Sequence, residues 1–288
     1  MIKIAGLIKY IHIHPLLWAI IGLAVATAHF LELSLLLLII FVHEMGHAAA
    51  ASFFSWRIKR ISLLPFGGVA EMDEHGNRPL KEEVIVILSG PLQHLWMMGL
   101  AFLLMEFSLI HDGIYLLFIQ FNLMILLFNL LPIWPLDGGK LVFLWLSFHR
   151  AFPDAHQKAL QVSIGAVLLF IISVLIISPI QLNIWVILAF LLFSLYHEWK
   201  QSRYVFLRFL LERYYGNTSE LRALVPIIVA EDEMIIHVLE KFRRGCKHPI
   251  IIEKDGKETG SLDENELLHA YFTEKMVTSP ISDLLYSY

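Results

Sequence analysis

Charged side chains and cysteine are both scarce in this 288-residue chain. Only 17% of the residues are charged, against roughly 25% in an average soluble domain, and the net charge is −4. This composition excludes a soluble enzyme, a disordered chain and a nucleic-acid-binding protein that depends on positive charge. The single cysteine, Cys246, excludes a disulfide framework and a cysteine metal cluster. The first residues also lack the pattern of a cleavable signal peptide, so we expect none to be removed.

Apolar residues dominate the chain instead. They make up 57% of it, and the mean hydropathy is +0.66. A bilayer span needs about 20 mostly apolar residues, and the chain offers several such segments. We predict six spans, at 12–28, 33–52, 84–105, 114–131, 160–177 and 181–197. Residues 1–197 are therefore predicted to form an all-α polytopic membrane domain with six transmembrane helices.

The distribution of Lys and Arg predicts the orientation of these spans. All 22 of these residues lie outside the spans, in the N-terminal segment, the second loop, the fourth loop and the tail. The other three loops are short and hold none. Because loops rich in Lys and Arg stay in the cytoplasm, this segregation predicts that both termini are cytoplasmic.

Residues 198–288 are soluble in character, with frequent charged side chains. Segment 198–223 is predicted to be an amphipathic linker along the inner membrane surface, and a solvated helix packed on the tail is the alternative. From residue 224 the pattern predicts strand, helix, strand, strand and helix, at 225–229, 232–239, 249–252, 258–261 and 264–271. Residues 224–288 are thus predicted to form a small α/β cytoplasmic domain.

His43, Glu44 and His47 form an HExxH motif within the second predicted span. Residues four apart share one helix face, so both imidazoles can reach a single metal ion. Glu44 can then act as the general base toward a water at that ion. Ionisable residues are costly inside a bilayer, which favours a functional role. The alternative is that these residues only make helix–helix hydrogen bonds.

A catalytic zinc site needs a third protein ligand, and Asp137 is the best candidate. It follows Pro132 and Pro135, which cannot continue a helix, and it precedes the pair Gly138-Gly139. Such an unwound segment can direct a carboxylate inward. Asp137 follows the cytoplasmic end of the fourth predicted span, so it is expected on the same side of the bilayer as His43. The alternative is a simple helix-ending turn.

These motifs together resemble the site-2 proteases, a family of intramembrane zinc metalloproteases, over about 200 residues. Besides HExxH and the Leu-Asp-Gly at 136–138, two patches support the resemblance. The Pro-Phe-Gly-Gly at 65–68 is similar to the family's membrane-dipping loop, and the Ser-Gly-Pro at 89–91 is similar to its small-residue packing turn. Gln93 and His94 depart from the family, which often has Asn in this region, so no role is assigned to them.

The resemblance implies metal-assisted peptide hydrolysis and a set of site residues. The implied residues are Glu44 as the catalytic base, His43, His47 and Asp137 as ligands of one Zn²⁺ per chain, and Asn129 and Pro135 as substrate-binding residues. Packing explains Asn129 equally well.

A membrane core followed by one CBS-like unit resembles a subgroup of this family that acts in sporulation. The subgroup implies a protein of the mother-cell-derived membrane around the forespore. Its implied substrate is a membrane-associated sigma factor precursor, pro-sigma-K, and its implied partners include inhibitory membrane proteins. A single CBS-like unit resembles half of a pair that forms a nucleotide cleft, so it implies a homo-oligomer that senses ATP.

Two other functions compete with this interpretation. One is a membrane metalloprotease that trims lipidated C-termini, which would supply a downstream Glu or His as the third ligand. The other is a CBS-regulated transporter or scaffold with a structural metal site; transporters usually show two related halves, and we find no internal repeat. The remaining histidines, among them His75, His94, His111 and His197, have no ligand-like spacing and are interpreted as structural.

Overall fold

The computed structural model describes residues 9–13, 15–64, 67–72, 78–177, 179–216, 224–254 and 256–285. The chain forms two compact units. The first unit contains Met1–Glu74, Lys81–Leu141 and Val162–Ser194, and the second contains His75–Leu80, Val142–Gln161 and Leu195–Tyr288.

Seven helices account for most of the described residues before residue 216. They are α1 (Pro15–Ala26), α2 (Phe30–Phe53), α3 (Leu80–Glu106), α4 (Asp112–Asn129), α5 (Asp137–Ser147), α6 (Phe152–Ile177) and α7 (Leu182–Tyr215). Among the described residues, α2, α3, α4, α6 and α7 are long and apolar enough to cross a membrane. The chain is therefore mostly helical, and five of the predicted spans are confirmed as apolar helices of sufficient length.

The first predicted span, 12–28, differs from the structure. Its beginning belongs to a strand, β1 (Ile11–Ile13), and α1 has only 12 residues, fewer than the roughly 20 that a span needs. Ala28 follows α1 with φ 61, in the left-handed region, which ends the helix two residues before α2 begins. The predicted count of six spans is therefore not confirmed.

A three-stranded sheet in the first unit was not predicted, so the all-α description of the membrane domain needs correction. β2 (Ile58–Leu64) pairs in parallel with β1 and antiparallel with β3 (Gly67–Met72). Ile58 and Ile61 of β2 are buried in one cluster with Ala48 and Ala51 of α2. The apolar side of β2 thus packs against the end of the helix that carries HExxH. Pro65 and Phe66, the start of the predicted membrane-dipping loop, lie outside the described residues.

α7 continues through the boundary predicted at residue 197. Composition changes there, but no Gly or Pro occurs between Leu182 and Tyr215, so nothing in the backbone ends the helix. Phe209 and Leu210 are fully buried in the core of the second unit, where the rings of Phe209 and Phe152 stack 4.2 Å apart. These residues of α7 therefore pack on the tail within the second unit.

The tail contains the predicted order of strand, helix, strand, strand and helix. The elements are β4 (Ile227–Ala230), α8 (Ile235–Glu240), β5 (Ile250–Lys254), β6 (Lys257–Leu262) and α9 (Glu264–Phe272), followed by the short α10 (Ser282–Leu285). β4 and β5 are parallel, and β5 and β6 are antiparallel. The side chain of Asp263 caps α9 together with that of Glu266. The element order in this part of the chain is therefore confirmed.

A buried ion pair ties α7 to the tail sheet region within the second unit. Nε and Nη2 of Arg213 donate to the two carboxylate oxygens of Glu264 at 2.6 and 2.8 Å. The same guanidinium donates to the backbone carbonyls of Arg243 and Cys246, at 2.6 Å each. The backbone N–H of His248 donates to the Glu264 carboxylate as well, at 2.8 Å. The pair is thus fully hydrogen-bonded away from water, as a buried charge requires.

Candidate metal centre

His43 and His47 lie one turn apart on α2, within a run of apolar and small residues that favours a helix. Their side chains point to the same side, and their Nε2 atoms are 3.1 Å apart. Only 2% of His43 and 6% of His47 is exposed. Glu44, next to His43 on the same helix, is buried as well, at 6%. The structure therefore places all three polar residues of the motif in the interior of the first unit.

Asp137 is brought to these histidines by the segment between α4 and α5. One carboxylate oxygen, Oδ2, lies 3.1 Å from Nε2 of His43 and 3.1 Å from Nε2 of His47. The turn is possible because Gly138 has no side chain: a Cβ there would lie 2.2 Å from the carbonyl oxygen of Leu130. The first residue of α5 thereby reaches the centre of the first unit.

The three side chains suit a zinc ion in both chemistry and spacing. Two imidazole nitrogens and one carboxylate oxygen form a group that could hold a metal. In tetrahedral zinc sites, ligands at about 2.0–2.1 Å from the ion lie about 3.3 Å from one another. The observed separations of 3.1 Å are close to that value. Three protein ligands leave a fourth position open, which is typical of a catalytic zinc site.

Each of the three side chains also has a hydrogen-bond partner for its second polar atom, the one that does not face the other two ligands. Nδ1 of His47 donates to the carbonyl oxygen of Val86 at 2.8 Å, so its Nε2 carries the free lone pair. The second carboxylate oxygen of Asp137 accepts a hydrogen bond from Nζ of Lys140 at 3.1 Å. Nδ1 of His43 lies 3.0 Å from Nε2 of His94. All three free ligand atoms therefore face one common point.

Two glycines allow the backbone to approach this centre closely. A Cβ on Gly90 of α3 would lie 2.2 Å from Nε2 of His47 and 2.8 Å from Nε2 of His43. A Cβ on Gly68 of β3 would lie 2.2 Å from Cγ of Glu44. α3 thus passes directly beside the imidazoles, and β3 passes directly beside the carboxylate.

Asn129 and Pro135 do not belong to the group of three. Asn129 is the last residue of α4, and its amide donates to the carbonyl oxygen of Ile125 at 3.1 Å. Pro135 follows a cis peptide bond in the segment that leads to Asp137. Both are partly exposed, and their predicted contact with substrate stays a prediction.

Sequence reasoning missed His94 and Asn122, which the structure places behind His43. Neither residue has the spacing of a metal ligand, which was the only signal used for the site. The available signal was different: both are polar residues inside long apolar helices, and both are fully buried. A polar group in such a position needs a partner, and this requirement alone marks the two as candidates.

This chain is similar to a peptidase family, to two proteins of known sequence and to one solved structure. The profile of peptidase family M50 matches residues 32–113 and 108–172. Stage IV sporulation protein FB of Bacillus subtilis is 52% identical over 286 residues, which cover 99% of each chain. A zinc metalloprotease of Methanocaldococcus jannaschii is 31% identical over 70% of this chain and 60% of its own. The solved structure of a site-2 protease from the same archaeon matches with a TM-score of 0.53 and 27% identity, over 65% of this chain and 89% of that one.

Proposed function

Because this chain belongs to peptidase family M50, we propose that it cleaves a membrane-associated protein near the cytoplasmic face of a bilayer. Membership makes it a metalloendopeptidase, and its apolar helices make it a membrane protein. One observation carries the proposal: the ligand atoms of His43, His47 and Asp137 converge inside the first unit, which contains long apolar helices. Zinc is the ion that this donor set and spacing fit best.

Different side chains of this protein bind the metal and transfer the proton during hydrolysis. When bound, a zinc ion lowers the pKa of a water molecule toward neutrality and polarises the scissile carbonyl. His43, His47 and Asp137 hold that ion. Glu44 accepts the proton of the water as its oxygen bonds to the carbonyl carbon, and then gives the proton to the leaving amine as the C–N bond breaks.

Substrate has to reach this buried centre in an extended form, since a helix hides its peptide bonds. Asn129 and Pro135 are proposed to contact the substrate backbone, because they flank the segment that carries Asp137. Part of a helical substrate must therefore unwind before it is cut.

Two substitutions test the assignment of the centre. Glu44→Gln keeps the shape of the side chain but removes the base, so we expect cleavage to fall about 100-fold or more while zinc stays bound. Asp137→Ala removes an anionic ligand, so we expect both zinc content and cleavage to fall. Glu32→Gln, in the first turn of the same helix, is the matched control and should change neither. Normal cleavage by Glu44→Gln, or full zinc content in Asp137→Ala, would contradict the corresponding role.

The proposed substrate is pro-sigma-K, a sigma factor precursor that loses an N-terminal segment. Full-length similarity to a sporulation protein supports this choice. The proposal also includes both termini in the cytoplasm, residence in the mother-cell-derived membrane around the forespore, and inhibitory membrane partners. Co-expression with membrane-associated precursors, with cleavage followed on a gel, tests the choice. Prenylated peptides serve as the comparison, and their selective cleavage would favour the enzyme class that trims lipidated C-termini.

Residues 224–288 are proposed to be a CBS-like regulatory domain that binds ATP in a homo-oligomer. Support comes from the element order of this segment, with β4 at the edge of its sheet. Coupling between two sites typically amounts to about 1–3 kcal/mol, so ATP should change cleavage about 5- to 150-fold. Labelled ATP binding to the full chain, followed by cleavage across an ATP titration, measures both steps. Absence of binding at millimolar ATP would leave the tail a role in docking substrate.

A further inference from the structure

A chain of three polar side chains runs from the candidate metal centre across three helices. Nδ1 of His43 on α2 lies 3.0 Å from Nε2 of His94 on α3. Nδ1 of His94 lies 3.0 Å from the amide oxygen of Asn122 on α4. The amide nitrogen of Asn122 donates to the carbonyl oxygen of Phe118 at 2.9 Å, one turn earlier in its own helix. His94 and Asn122 are both completely buried.

The donors and acceptors in this series of hydrogen bonds can be assigned in only one way. Asn122 donates through its amide nitrogen to a backbone carbonyl, so its oxygen faces His94 and must accept. His94 therefore carries its proton on Nδ1 and presents a lone pair at Nε2. That lone pair can accept only if Nδ1 of His43 carries a proton, which leaves Nε2 of His43 unprotonated. Nε2 is the atom that faces Asp137 and His47.

The two histidines of the centre are held in different ways. His47 donates to a backbone carbonyl of α3, an arrangement common among metal-binding histidines. His43 instead donates to a second imidazole, whose own orientation depends on an amide of a third helix. The rings of His43 and His94 are tilted at 52° with centroids 5.2 Å apart, so they meet through their edges and not by stacking.

We propose that His94 and Asn122 are positioning residues that hold His43 in the tautomer and ring orientation that bind the metal. The proposal rests on the proposed function, because it assumes that the centre binds zinc. Loss of such an outer partner typically costs 10- to 100-fold in metal affinity or activity. Neither residue touches the common point that the three ligand atoms face, so both act through His43.

Two nearly isosteric variants at one position test the role of the acceptor. His94→Gln can place its amide oxygen where Nε2 lies, whereas His94→Met has a similar length and no comparable acceptor. In the full chain, we expect His94→Met to bind Zn²⁺ about 10- to 100-fold more weakly than the natural protein, and His94→Gln to recover most of the affinity. The visible spectrum of the Co²⁺-loaded protein should shift in His94→Met at full occupancy and return toward normal in His94→Gln.

Asn122→Leu repeats the test at the residue that is one hydrogen bond further from the candidate metal centre. It removes the acceptor that orients His94, so we expect a smaller loss of Zn²⁺ affinity in the same direction. This variant also keeps the proposal testable if His94→Met does not fold. Gln120→Leu is the matched control: it removes an exposed amide of α4, two residues before Asn122, and it should leave metal binding unchanged.

Measurements of metal binding distinguish a failure of the positioning role from a failure of the proposed function. Equal Zn²⁺ affinity and an unchanged Co²⁺ spectrum in His94→Met and Asn122→Leu would overturn the positioning role while leaving the protease proposal intact. No stoichiometric zinc in the natural chain would overturn the proposed function itself. Equal losses in His94→Met and His94→Gln would also contradict the proposal, because its effect depends on the acceptor atom.

Discussion

Gly90→Ala should strongly weaken zinc binding by adding one methyl group. The new Cβ would lie 2.2 Å from Nε2 and 2.4 Å from Cε1 of His47, and 2.8 Å from Nε2 of His43. Ordinary van der Waals contact begins at 3.4 Å, so the His47 ring would have to move by more than 1 Å. The methyl group would lie against the two imidazole nitrogens that face Asp137.

Neither imidazole can move away freely, because both are tied to the helix that carries Gly90. His47 is bonded to Val86 and His43 to His94, and both partners belong to α3. A shift of the rings therefore breaks a buried hydrogen bond, at a cost of about 1–3 kcal/mol each. Metal–ligand distances tolerate only about 0.2 Å, and a 1 Å misplacement of a catalytic group can cost about 100-fold in rate. We expect zinc affinity and cleavage each to fall at least 100-fold.

Zinc affinity of the purified full chain, measured by competition with a chelator, tests this expectation beside a cleavage assay. Gly99→Ala is the matched control, since Gly99 lies on the same helix and a Cβ there meets nothing within 4 Å. It should bind zinc and cleave substrate normally. Normal zinc affinity in Gly90→Ala would refute the close approach of α3 to the imidazoles.

Three further predictions concern the ion pair, the α4–α5 segment and the pH response of the tail. Arg213→Met should destabilise the second unit by about 3–5 kcal/mol, because it leaves the buried Glu264 carboxylate without its counter-ion; hydrogen exchange of the β5 amides measures this loss. Gly138→Ala should lower zinc content, because a Cβ 2.2 Å from a backbone carbonyl oxygen displaces the segment that carries Asp137. Burial lowers the pKa of His248 below its usual 6.5. The tail should therefore have its full stability above pH 6.5 and become less stable as the pH falls toward the lower pKa. Thermal unfolding from pH 7.5 to 5 measures how stability depends on pH, and His248→Gln should weaken this dependence.

Each of these predictions has a control on the same kind of element. Arg203→Met removes an exposed arginine of α7 and should leave hydrogen exchange in β5 unchanged. Gly165→Ala adds a Cβ that meets nothing within 4 Å and should leave zinc content unchanged. His237→Asn removes an exposed histidine of α8 and should keep the pH slope. Slow exchange in Arg213→Met, full zinc in Gly138→Ala or an unchanged slope in His248→Gln would contradict the respective argument.

The features that the sequence determined are those that depend on neighbours along the chain. Helical periodicity puts His43 and His47 on one face because four residues make about one turn. Apolar composition over about 20 residues marks five of the helices, since only length and hydropathy are needed. Short apolar segments separated by polar residues predicted the order of elements in the tail. Each of these signals is complete within a short stretch of chain.

Tertiary structure alone decided which distant residues meet. Asp137 lies 94 positions from His43, and His94 lies 51 positions from it. Spacing in the sequence carries no information on such pairs, so Asp137 could be proposed only by its chemistry and its turn, and His94 was missed. β1 joins a sheet with β2, about 50 residues later, because backbone hydrogen bonds pair strands that the fold brings together. The imidazoles, the carboxylate and the histidine behind them converge because α2, α3, α4 and the start of α5 pack around one point, and that packing is a property of the whole first unit.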